Sequence, residues 1–141
     1  MPDLSAYLSG FQRNRTGATA LEFALIAPIL IMMVGGIIDY GGYFASAHAV
    51  QQTVNDAARV AISGTTADER LELAQQSINS DMTSYAILAG GQTSLSIDEG
   101  AQIIVVSLTY TPQGDSFELM PMAPGLPHSL TRTASIVRGG Y

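Results

Sequence analysis

Few side chains in this sequence could do chemistry, and the one suggestive set stands near its start. Glu22 lies inside an apolar run, five residues after Gly17 and next to the aromatic Phe23, with Arg13 and Arg15 just upstream. A carboxylate in hydrocarbon costs about 2.5 to 3.5 kcal/mol at mid-membrane, so it calls for a counter-charge or a place near the interface. Gly17 has no side chain to obstruct backbone access and can hold the non-helical geometry that an endoprotease needs. This is chemistry done to the chain, at a peptide bond. Constellations for chemistry done by the chain are missing. His48 and His128 stand apart, and there is no HExxH, no GxSxG and no glycine-rich phosphate loop after a strand. Asp68, Glu69 and Glu72 form a paired-carboxylate cluster, but acidic residues in the first turns of a helix are explained by its dipole. With no cysteine, neither a disulfide framework nor a Cys-based metal site is possible. No enzyme activity, cofactor, metal or small-molecule substrate is expected.

The element that must position Glu22 is a long apolar helix. No charge occurs between Phe23 and Ile38, and a helix from Ala18 to Ile38 would measure about 30 Å, the thickness of the hydrocarbon core. Ten Leu, Ile, Phe and Val side chains in it outweigh the one carboxylate on the insertion scale. Pro28 lacks a backbone donor and crowds the carbonyl of Ala24, which predicts a kink. A buried core helix would rarely be so long, and a secretory signal peptide cut at Ala45-Ser46-Ala47 would need a shorter apolar stretch without Asp39 in between. Arg13 and Arg15 precede the run, whereas from Asp39 onward ten acidic residues face four arginines. The positive-inside rule therefore puts the N-terminus in the cytoplasm. Without a lysine, the acidic outer part is a poor match for nucleic acid.

Past Asp39 the helical period continues. Tyr43, Ala47, Val50, Val54, Ala57 and Ala61 fall on one face, and Gly41, Ala45 and Ala49 form a stripe of small residues against which another helix could pack, within this chain or from a second one. Gly64 offers a stop. Thr66 and Glu69 fit a capping box that opens a second helix, with Leu71, Ala74, Ile78, Met82, Tyr85 and Ala89 on its apolar face and Gly90-Gly91 at its end. The period then changes to two: Ser94 to Ile97, a turn at Asp98-Glu99-Gly100, Gln102 to Tyr110, and Leu130 to Val137 after a crossover bearing Pro112, Pro121, Pro124 and Pro127. The expected fold class is α+β: a long N-terminal transmembrane helix that continues into a small pilin-like domain with a second helix and a three-stranded antiparallel sheet.

The run Gly17-Ala18-Thr19-Ala20-Leu21-Glu22-Phe23, with Arg13 and Arg15 before it, resembles a prepilin peptidase site: a glycine, four small or apolar residues, then glutamate and an aromatic. From Arg13 to about Ser63 the chain resembles the TadE-like family, most specifically in GATALEFALIAP and NDAARVA. Only two arginines lead in, and Phe23 stands where tyrosine also occurs. The resemblance implies a minor pilin, or pseudopilin, of the Tad/Flp tight-adherence pilus. It implies cleavage between Gly17 and Ala18, with Glu22, Phe23, Arg13 and Arg15 read during processing and assembly. It also implies that the partners are the inner membrane, a prepilin peptidase, other Tad pilus subunits and the assembly platform. Residues 1–17 would be the cytoplasmic leader, 18–38 the span, 39–63 a helical extension and 64–141 a periplasmic domain. The alternative is an uncleaved, membrane-anchored binding or scaffold module of the cell envelope.

Overall fold

The computed structural model describes residues 15–114, 117 and 125–137, with side chains from residue 17 onward. Most of the leader, including Arg13, and the crossover prolines Pro121 and Pro124 lie outside the described residues. The side chain of Arg15 does as well.

Helix α1, Arg15–Ala61, is 47 residues long, or about 70 Å, and runs unbroken through Pro28. Its two halves differ. From Leu21 to Ile38 every large apolar side chain is exposed, while Ala47, Val50, Val54, Ala57 and Ala61 are buried and Tyr43 packs against them. The face expected from the helical period is therefore the face that the domain covers. α1 ends three residues before Gly64, which has a different use: a side chain there would meet Arg70, with its Cβ 2.8 Å from Arg70 Cγ.

Helix α2, Ala67–Ser84, runs back along α1. Thr66 caps it, its hydroxyl accepting from the Glu69 N–H at 3.2 Å. The return contact of the box is displaced by one residue, since the Glu69 carboxylate accepts from the backbone N–H and the hydroxyl of Thr65, both at 2.7 Å. Those bonds hold its pKa below the ordinary value, the backbone bond foremost. The buried positions are Arg70, Ala74 and Ile78; Leu71, expected inside, is 45 % exposed. The helix also stops earlier than expected. After Tyr85 a 3-10 turn, Ala86–Leu88, redirects the chain so that Leu88 rather than Ala89 enters the core, and Gly90 takes a φ of 80° that favours glycine.

Strands β1 (Gln92–Glu99), β2 (Ile103–Thr111) and β3 (Leu130–Val137) form an antiparallel sheet in that order. Strict alternation in the central strand buries Ile104, Val106, Leu108 and Tyr110 against the helices. Ser94, Ser96, Ser107, Thr109, Thr131, Thr133 and Ser135 occupy the other face, where Ile103, Val105 and Val137 form an apolar end, so that face is mainly polar. The class is the expected α+β.

One ionic contact ties helix to sheet. The guanidinium of Arg70 donates from Nη1 to both carboxylate oxygens of Glu99, at 2.9 and 3.0 Å, with the two side chains 9 % and 26 % exposed.

Candidate processing site and membrane span

The first half of α1 carries the residues that could be read by a peptidase and a membrane. Gly17, Ala18, Glu22 and Phe23 are all exposed, and a side chain added at Gly17 would meet nothing within 4 Å. Among the described residues, none covers the site. Ala18 and Glu22 are four residues apart in an α-helix and so lie one above the other on one face.

One detail departs from the sequence reading. Gly17 and Ala18 are already helical, the third and fourth residues of α1, so their peptide bond is not in the extended form that proteases accept. Unwinding it is inexpensive. The first four N–H groups of a helix have no partner within it, and glycine weakens a helix by about 1 kcal/mol relative to alanine.

The apolar half is long enough to cross a membrane, with a mean hydropathy of 2.4 over its most apolar stretch and only 6 % of that stretch buried. A soluble core helix would be mostly covered, so that rival is set aside. Ser46 and Ala47, the last two residues of the small-residue pattern that a signal peptidase would need, are buried in the domain at 4 % and 8 % exposure.

The small-residue stripe divides. Ala49 is buried within this chain, whereas Gly41 and Ala45 remain exposed. Asp39, where the apolar run ends, is fully buried although tyrosine and isoleucine on either side of it are open. Composition gave no sign of that, because a charge at the end of a span reads first as a solvated boundary. Tyr43 packs edge-on against Phe117 at 5.3 Å, which joins the crossover to the helix just beyond that boundary.

Elsewhere, His48 and His128 are exposed and far apart in sequence, and among the described residues no three His, Asp or Glu side chains gather as metal ligands would. Asp68, Glu69 and Glu72 lie on the exposed face of α2 near its start. Asp81, facing Asp56 across the helix pair, has its pKa raised, mainly by burial and then by that neighbouring charge.

Residues 17–59 match the family model described as TadE-like protein. This part of the chain is a TadE-like domain. It begins at Gly17 and ends two residues short of the end of α1, so the family segment is this helix almost entirely. No curated protein and no solved structure matches the chain.

Proposed function

We propose that the chain is a minor pilin of a Tad/Flp-type pilus, acting in pilus assembly, adhesion and surface attachment. The TadE-like helix associates it with the Tad pilus. The observation that carries the reading is the division of α1: a compact domain covers one face of the second half and leaves every large apolar side chain of the first half exposed, with Gly17, Glu22 and Phe23 at its start.

In this reading residues 18–38 span the inner membrane, with the N-terminus cytoplasmic and the domain after Asp39 periplasmic. A prepilin peptidase adds water across the Gly17–Ala18 bond, which releases a leader ending in the Gly17 carboxylate and leaves a protonated amine on Ala18. That amine lies one helical turn from Glu22, so the two charges share the cost of the hydrocarbon, within one chain or between neighbouring subunits. Gly41 and Ala45, free of the domain, are left for helix contacts with another subunit.

The second reading, an uncut anchor, is favoured by the helical state of the Gly17–Ala18 bond. Glu22→Ala separates the steps: cutting should proceed while the sheared pilus yield falls. Equal yields from the variant and the parent would refute the pairing, and undiminished pili in cells lacking the chain would refute the proposed function.

A further inference from the structure

The two edges of the sheet are not equivalent. Gly100 donates to the Ile103 carbonyl at 2.9 Å, which makes that pair a hydrogen-bonded one and fixes the alternation along both ladders. The backbone groups of Thr93, Leu95 and Ile97 then point away from β2, as do those of Thr131, Thr133 and Ser135 on β3. The β3 edge is capped by side chains: Arg132 donates to the Thr131 carbonyl at 3.0 Å, and Gln51 of α1 reaches the Thr133 carbonyl at 3.5 Å. On β1 the hydrogen bonds of the described residues give Thr93, Leu95 and Ile97 no such cap. The strand carries no Pro, Lys or bulge, and its two protecting charges, Asp98 and Glu99, stand at its end, past Ile97.

Beside this open edge lies a groove of about 680 Å³ between α2 and β1, lined by Asp68, Leu71, Glu72, Gln75, Asn79 and Leu95 among others. Leu71 is the residue whose spacing places it in the core and which the structure instead leaves open to this groove. Because Thr93, Leu95 and Ile97 carry both the outward backbone groups and the side chains on the α2 side, a strand added at the edge would drop alternate side chains into the groove.

We propose that β1 is a docking edge for an extended segment of a partner polypeptide whose groove-facing residues, every second one along the segment, are in turn apolar and basic. Leu71 and Leu95 would receive the apolar positions. Asp68 and Glu72 would receive the basic ones. A second copy of this chain is a poor occupant, since after the span it has four arginines and no lysine, one of the arginines is bound to Glu99, and its other sheet edge is capped. The partner is therefore a different, basic chain. The inference does not depend on cleavage at Gly17.

The test uses the full-length protein in detergent micelles and a fluorescent decapeptide in which every second residue is in turn valine and arginine, with threonine between them, read by polarisation at low salt. It should bind at micromolar concentration and slow hydrogen exchange at the amides of Thr93, Leu95 and Ile97. Methylating the peptide's alternate backbone nitrogens on its pairing side should weaken binding about a hundredfold, because several ladder bonds vanish together. Glu72→Arg, on an exposed helical position, should weaken it about fivefold to tenfold. Equal binding of the methylated peptide, or protection of other amides only, would reduce the effect to charge adsorption and overturn the proposal. So would self-association of the protein through β1 without peptide binding.

Discussion

Replacing Glu99 by glutamine keeps its shape and removes its charge, and it should cost this domain much of its stability. Arg70 is 91 % covered, its Nη1 is held by both Glu99 oxygens, and its Nε has no partner at all. A neutral amide offers one acceptor in place of two charged ones and leaves the guanidinium with that weaker acceptor and the Thr65 carbonyl, 3.4 Å from Nη2. Breaking a buried pair from one side costs about 3 to 5 kcal/mol. Since a quarter of Glu99 still meets water, part of that is screened, and about 2 kcal/mol is the working figure. For a domain of this size that lowers Tm by about 8 to 16 °C. The assay is near-ultraviolet circular dichroism of the full-length protein in detergent, where the tyrosines of the domain report its packing while the apolar half of α1 contributes none of them before Tyr40. Replacing both partners, Arg70→Met with Glu99→Leu, should recover most of the loss. A Tm change below about 2 °C for Glu99→Gln, or a parent protein that loses as much in half-molar salt, would show that the pair is an ordinary surface contact.

Two further outcomes follow from the packing. The raised pKa of Asp81, from burial and then from Asp56, means that the native state holds a proton more tightly than the unfolded chain, so the penalty is full above the folded pKa and fades as pH falls toward the ordinary carboxylate value. Asp81→Asn should therefore raise Tm at pH 7 and lose that advantage in acid; a pH-independent gain would put the effect elsewhere. Gly91→Ala would drive a Cβ into the buried Tyr110 ring, and overpacking of this kind costs about 1 to 3 kcal/mol, measurable by chemical denaturation; an unchanged midpoint would mean that the ring has room to move.

Much of this fold was legible in the chain because its periods are clean. The shift from a spacing of three and four to a spacing of two marks where helices give way to strands, and β3 begins and ends at the residues expected. The errors have local causes. Leu71 and Arg70 exchanged roles because a helical stripe one residue away served as well, and only the distant Glu99 makes burying an arginine tolerable. The end of α2 was misplaced because Gly90-Gly91 is the strongest stop signal, whereas Tyr85 turns the chain earlier to seat Leu88. Of the candidate site, the order of Gly17, Glu22 and the apolar run was readable directly. The helical state of the Gly17–Ala18 bond, the burial of Asp39 and the inequality of the two sheet edges were not, since each depends on what packs alongside.

The central claim is that a bare spanning helix opens with a bond that is cut. Its most direct test is the intact mass of the full-length protein expressed in membranes with and without a prepilin peptidase. The account predicts loss of Met1 to Gly17 only when the peptidase is present, with a mature chain beginning at Ala18. An unchanged mass in the presence of an active peptidase, or a cut at any other bond, would contradict it.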